Sequence, residues 1–463
     1  MSFAALRPHL KPTLLLAYPV VLSQLGHVLV NVCDSVMVGH ITPADVAAES
    51  LAAISLGVST STVGLVLGLG VSLGITPLVA AANGRRDVAA LGRLLVNGVW
   101  LCLAAGIVLA LLGFALAPLL DQLHQPAAVV ALARPWIQAL FLSYVPLMIF
   151  QAFKQFAEGL GLTRQAMYLS IMANVVNALL CYVLIFGHLG VAPLGMMGSA
   201  WATLVARILM AVLMGTYVLR AARLQPYRDA ARAQLWPDGT TLRRLLGLGA
   251  PIGVQMMFEM GAFSFSAIMI GWLGATPLAA HQIAINVASV TYMAASGIAA
   301  AATIRVGNFY GLGDGPGARQ AGFAAYWLTF AFMGTMGLVL VAGRGIIPYL
   351  YNDTPLVVEQ AAGLLLIAAL FQVSDGLQVV GLGALRGLED VKIPSVVALL
   401  AYWVVALPLG YSLGFTLGWG ATGVWVGLLT GLSLVAAVLL WRFWQHSAQT
   451  PAAVNPERVV LAH

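Results

Sequence analysis

Twelve apolar runs follow one another along the chain, at roughly 14–38, 51–77, 92–118, 132–156, 165–187, 195–219, 244–271, 279–304, 321–343, 359–384, 393–415 and 420–444. Each exceeds the about 20 residues a helix needs to cross the hydrocarbon core of a bilayer. Gly, Pro and charged residues collect in the short segments between them, as connections should. The pattern predicts an all-α integral membrane protein of twelve transmembrane helices.

The positive charges orient it. With both termini placed in the cytoplasm, 19 of the 22 Lys and Arg residues fall on that side; only Arg134 and Arg344 face out, and Arg207 lies within a run. Such a bias sets the orientation of multi-pass proteins. The longest polar connection, Ala221 to Thr241, separates the sixth run from the seventh. The expected organisation is an N-terminal six-helix lobe over 1–222, a cytoplasmic linker over 223–243, a C-terminal six-helix lobe over 244–446 and a cytoplasmic tail over 447–463. The N-terminal stretch begins as a signal peptide does, but its apolar run is too long and carries Asn31 and Asp34, so it is read as a retained first helix.

The two halves resemble each other. Pro19, Gly39, Ala48 and Leu51 precede Pro251, Gly271, Ala280 and Ile283 by 232 positions; Gly84 and Asp87 precede Gly311 and Asp314 by 227; Gly159 and Arg164 precede Gly387 and Lys392 by 228. Near-equal offsets over most of each half imply two pseudo-symmetric six-helix bundles around an axis along the membrane normal, with a central cavity.

Composition narrows the function. The chain is 61% hydrophobic and 8% charged, against roughly a quarter charged in soluble domains, so a soluble enzyme is excluded. The net charge of +6 reflects cytoplasmic loops, and no nucleic-acid partner is expected. Cys33, Cys102 and Cys181 lie in apolar runs and read as packing residues. No GxxxxGK[ST] or HExxH is present, so neither ATP drive nor a catalytic metal is expected, and no bound cofactor is.

Three acids stand out. Asp34, Glu259 and Asp375 lie well inside apolar runs, where a carboxylate costs at least roughly 2.5–3.5 kcal/mol on insertion scales. A structural acid bonded to Ser, Asn or backbone is one reading. The other is an ion site: apolar surroundings favour the protonated form and a bound cation the ionised one, so proton and cation compete, as exchange requires. Met256, Met257, Met260 and Phe263 surround Glu259 in sequence, and Phe371 and Gln378 flank Asp375. With Gln282, they are candidate lining for a cavity accepting lipophilic cations by charge and cation–π attraction. Asn31, Asn174, Asn177 and Thr203 form a candidate polar network with Asp34, suited to a hard ion or a protonation switch. Arg207 either snorkels, faces the cavity or pairs with a buried acid.

Three stretches, PIGVQMMFEMGAFSFSAIMIGWLGATPLAAHQIAIN, FQVSDGLQVVGLGALRGLEDVKIP with the following AYWVVALPLGY, and the DSVMVG end of helix 1, resemble the multidrug and toxic compound extrusion family, above all its NorM-type bacterial branch. The resemblance runs from Pro19 to about Phe443. It implies a V-shaped pair of six-helix bundles that span the lipid bilayer of the bacterial inner membrane; the protein is expected to act as a monomer. The implied activity is export of small cationic drugs and dyes in exchange for Na+ or H+. Carried over residue by residue, Glu259 and Asp375 match the acidic pair that would hold Na+, Asp34 the helix 1 aspartate, Asn177 a helix 5 asparagine and Thr203 a helix 6 threonine. The chain departs from the pattern at Phe371, where relatives can have tyrosine, and at Cys181, in place of a second asparagine. A lipid-linked precursor flippase and an intramembrane lipid-modifying enzyme are the alternatives; the first calls for more basic residues in the cavity, the second for no repeat.

Overall fold

Every apolar run folds as a long helix because, in lipid, a helix is the one open-ended structure that satisfies its own backbone polar groups. The computed structural model describes residues 3–41, 44–123 and 126–449. The order is α1 (Phe3–Gly39), α2 (Ala44–Leu73, resuming as Ile75–Gly84), α3 (Val88–Leu116), α4 (Ala127–Leu142, resuming as Tyr144–Gly159), α5 (Thr163–Phe186) and α6 (Met196–Arg220). Then come α7 (Gly239–Gly271), α8 (Ala275–Leu312), α9 (Gly315–Gly343), α10 (Pro355–Gly387), α11 (Lys392–Thr416) and α12 (Gly420–Gln449). Among the described residues there is no strand, and 11 helices, α2 to α12, are long and apolar enough to span a membrane. With α1, of 37 residues, the long helices number twelve. Arg458 and most of the expected tail lie outside the described residues, as does the side chain of Asn31.

Several helices outrun their apolar runs. The run at 279–304 becomes α8, Ala275–Leu312, because hydropathy marks the length that prefers lipid whereas a helix continues until it is capped. The cap is Gly313, left-handed at φ 73°, followed by Asp314, whose Oδ1 accepts from Gly317 N at 2.8 Å to start α9. Asp87 does the same for α3, accepting from Ala90 N at 2.9 Å; these are the two aspartates that the repeat pairs. Lipid as solvent also explains the surface: Leu111 is 64% exposed, Leu338 73% and Leu370 64%, a pattern unstable in water.

Contacts divide the chain into a first unit, residues 22–79 and 86–253, and a second unit, residues 1–21, 80–85 and 254–463. Each contains a close helix crossing made by the repeat. In the first, Gly70 lies on Gly253, where an added Cβ would come within 2.2 Å of the Gly253 Cα. In the second, Gly297 lies on Ala17 and Val21, the same crossing after the offsets of 227 and 232. Beside it, Gly84 meets the Asn308 carbonyl and Gly311 the Ala81 carbonyl, with Asn83 Nδ2 donating to Asn308 Oδ1 at 3.1 Å.

The polar connection after α6 is ordered and fastened within the first unit. A short helix, Gln225–Arg232, packs on α3. Trp236 stacks on Trp100, ring centroids 6.1 Å apart, and Trp100 Nε1 donates to Leu235 O at 3.1 Å. Asp238 N donates to Asn97 Oδ1 at 2.7 Å, while its carboxylate accepts from Thr241 Oγ1, Thr241 N and Thr240 N. The bonds from Thr241, then Thr240, hold the Asp238 carboxyl below its ordinary value.

Candidate functional site

In the second unit, Glu259 of α7 is met by three donors. Gln378 Nε2 from α10 reaches its Oε1 at 3.0 Å, Tyr402 OH from α11 the same oxygen at 3.1 Å, and Gln255 Nε2, one turn earlier on α7, its Oε2 at 3.3 Å. The Tyr402 hydroxyl also lies 2.9 Å from Gln378 Oε1. One phenolic hydrogen cannot serve both oxygens, so the ring of groups has two arrangements. With Glu259 ionised, the hydrogen is shared between them; with Glu259 protonated, the carboxyl can donate to Tyr402 and Tyr402 to Gln378. The geometry therefore accommodates the acid in either charge state.

Local structure puts Tyr402 there. The fourth residue before Pro408 has no N–H from that proline to accept, and the proline ring crowds the helix interior. Around the short α-helical piece Leu407–Tyr411, α11 relaxes into π-helical turns at Ala401–Ala406 and Ser412–Thr416. Such turns re-aim side chains and are common at functional sites. Tyr402, 1% exposed, projects from the first of them.

Asp375 is buried on α10, three residues before Gln378, close enough for the Glu259 charge to act on it. Its carboxylate accepts no hydrogen bond from the described residues. Tyr292 of α8 lies in the field of both acids, and Arg386 in that of Glu259 and Tyr292. The sequence pattern places Arg386 in a connection; instead it belongs to the last turn of α10, because the helix runs past the apolar stretch.

The candidate lining divides. Met260 is 42% exposed, and Met256 and Met257 are half-buried around Glu259. Gln282 is exposed and donates to Asn286 Oδ1 at 3.0 Å, one turn away. Phe371 is 1% exposed, with Phe263 at 6.1 Å and Trp425 at 5.2 Å between ring centroids. It supports the site from behind; Phe263 also meets Tyr402 at 5.9 Å. Trp425 Nε1 donates to the buried His281 Nδ1 at 3.1 Å, which fixes the neutral imidazole proton on Nε2.

In the first unit, Asp34 of α1 accepts from the Cys181 thiol of α5 at 3.1 Å. This corrects the reading of Cys181 as a packing residue: the thiol is a hydrogen-bond partner of the half-buried Asp34. The same sulfur lies 3.7 Å from Asn177 Oδ1, and Asn177 Nδ2 reaches Thr203 Oγ1 of α6 at 3.5 Å. Asn174 lies one turn before Asn177, yet its Nδ2 is buried with no acceptor. Arg207, one turn after Thr203, donates to Ser143 Oγ at 2.6 Å and covers the Tyr144 ring at 5.2 Å from its centroid.

Among the described residues no three His, Cys, Asp or Glu side chains converge as a metal cluster. The oxygens around Glu259 are carboxylate, amide and phenol, hard ligands unlike the thiolates and imidazoles that soft metals select. Sequence reasoning missed Tyr402 and Arg386 as neighbours of the acids; the run AYWVVALPLGY, with a proline inside an apolar helix, was the available signal for the first.

The pattern that defines the MatE family matches residues 19–183 and again 251–412, two matches that coincide with the two halves of the repeat. A probable multidrug resistance protein NorM of Rhodopseudomonas palustris is 38% identical over 454 residues, covering 97% of this chain and 94% of that protein. A multidrug resistance protein NorM of Burkholderia vietnamiensis is 37% identical over 459 residues, covering 97% and 96%. A crystal structure of a MATE protein in the bent conformation superposes with a TM-score of 0.86 at 20% identity, covering 96% of this chain and 98% of that one.

Proposed function

We propose, from the premise that the chain belongs to the MatE family, that it exports organic cationic or aromatic drugs across the bacterial inner membrane by antiport against Na+ or H+. At the coarser level it is a multi-pass multidrug efflux transporter of that family and not an enzyme. In our reading both termini are cytoplasmic, the protein works as a monomer, and alternating access exposes one binding region to each side in turn.

The observation that carries the reading is the Glu259 carboxyl, held by Gln378, Tyr402 and Gln255 with a second buried acid, Asp375, in its field. Two carboxylates close together in low dielectric cannot both remain ionised and unpaired. A proton, Na+ or a drug cation relieves the repulsion, and their mutual exclusion is what couples export to ion entry. Exchange of one monovalent drug for one Na+ moves no net charge, so a tenfold gradient supplies about 1.4 kcal/mol. A second ion per drug would add its own gradient and roughly 2.3 kcal/mol per 100 mV of membrane potential.

The test is ethidium efflux from proteoliposomes of purified protein, with inward Na+ and H+ gradients imposed separately at zero potential. One of the two gradients is expected to drive efflux. Failure of Na+ with success of H+ removes Na+ coupling, and failure of both removes antiport. Glu259→Gln and Asp375→Asn are each expected to abolish coupled efflux while folded protein remains in the membrane; wild-type efflux from both would take these residues out of the mechanism.

A further inference from the structure

Arg207 is a guanidinium inside α6, at membrane depth, where an unbalanced charge is expensive. Its direct partners are neutral. Ser143 Oγ donates its own hydrogen to Leu140 O at 2.5 Å, so towards Arg207 it can only accept, and the Tyr144 ring offers its π face. Neither cancels the positive charge.

One acid in the first unit does. The chain of contacts from Asp34 through Cys181 and Asn177 to Thr203 ends one helical turn from Arg207 on α6. The charges of Asp34 and Arg207 act on each other, although they form no direct ion pair. The other titratable groups around the pair are the Cys33 and Cys181 thiols and the Tyr144 phenol; among the described residues no second carboxylate or base acts on Asp34. The formal charges of Asp34 and Arg207 therefore cancel within the first unit. In the second unit Glu259, Asp375 and the nearby Arg386 leave one negative charge over.

We propose that Arg207 is the tethered counter-cation of Asp34, standing in the place of a coupling ion, so that the first unit binds no exchangeable cation and the ions exchanged for drug bind only at Glu259 and Asp375. The inference rests on the antiport reading and deepens it. It turns Asp34, which resembles an ion-binding aspartate in sequence, into an acid whose charge is balanced within the protein by a tethered guanidinium. Because the guanidinium is covalently held, its charge never leaves with the transported ion.

The experiment reads the charge moved per drug molecule, from currents of proteoliposomes on a solid-supported membrane together with tetraphenylphosphonium flux. In Arg207→Gln, Asp34 is left without its cation and recruits one from solution, so one additional positive charge should enter per tetraphenylphosphonium exported. Arg207→Lys should behave as wild type. Asp34→Asn alone should lose coupled flux, because it strands the guanidinium, and Asp34→Asn/Arg207→Gln should regain flux at the wild-type charge ratio. Coupled flux in Arg207→Gln with an unchanged charge per drug overturns the inference while leaving antiport intact. Should Arg207→Gln not fold, the double variant decides alone: no recovery over Asp34→Asn overturns the inference, and recovery supports it. Wild-type protein that moves no drug under either ion gradient overturns the antiport reading, and the inference with it.

Discussion

Replacing Tyr402 with Phe removes one oxygen from the candidate site and leaves the ring that packs on Phe263. The hydroxyl serves Glu259 Oε1 at 3.1 Å and Gln378 Oε1 at 2.9 Å, and the variant has no donor for either. Glu259 then keeps the two amide donors, Gln378 at 3.0 Å and Gln255 at 3.3 Å. A hydrogen bond to a charged group contributes about 1.5–3 kcal/mol, so the ionised site should weaken by roughly 10- to 100-fold in any equilibrium that requires it. The lower end is expected, since the sharing of one hydrogen between two acceptors divides its contribution. Binding of ethidium to purified protein, followed by fluorescence, should show a Kd about tenfold higher. Stability should also fall, because Gln378 Oε1 stays buried without its donor, but that loss is common to free and bound protein and does not enter Kd. A folded Tyr402→Phe variant with a Kd within about twofold of wild type would refute the assignment of Tyr402 to the charge support of the site.

Gly84→Ala and Gly311→Ala should each lower the thermal midpoint in detergent, since the new Cβ would lie 2.1 Å from Asn308 O or 2.0 Å from Ala81 O; overpacking of this kind costs about 1–3 kcal/mol, and an unchanged midpoint would disprove the close crossing. Cysteine introduced at Gly274, between α7 and α8, should react with an impermeant thiol reagent from outside and cysteine at Asp229 should not, in a background lacking Cys33, Cys102 and Cys181; labelling of both from one side would overturn the orientation. Asp238→Asn should destabilise the fastened connection at neutral pH. Because native hydrogen bonds hold the Asp238 carboxyl below its ordinary value, that contribution is complete above the unfolded value and fades as pH falls through the lower native one; a wild-type-to-variant difference that grows on acidification would contradict the sign.

The number of long helices, their repeat and the apolar setting of Asp34, Glu259 and Asp375 were legible in the chain, because each depends on local properties, whereas the buried Glu158 of α4 did not stand out. Apolar length sets a span, Lys and Arg bias suggests a side, and a carboxyl such as Glu259 inside an apolar run is conspicuous whatever surrounds it. Asp87 and Asp314 stood out in sequence only as a matched pair of the repeat; the fold shows that each caps a helix by acting on an amide three residues away. What could not be read was which partner each acid meets. Tyr402 reaches Glu259 from 143 positions along the chain, out of a helix whose π turns depend on a proline and on packing against α12, and nothing in a tyrosine within AYWVVALPLGY announces its target. Cys181 looked like filler until the fold set its thiol on Asp34. Arg207 had three possible roles by sequence, and only the arrangement of α4 and α6 put it on Ser143 and Tyr144, one turn beyond the network of Asp34. Hydropathy is a sum over residues that each face the same solvent, so sequence alone determines it; a hydrogen-bonded site is a set of distances between residues far apart in sequence, and those come into existence only when the helices pack.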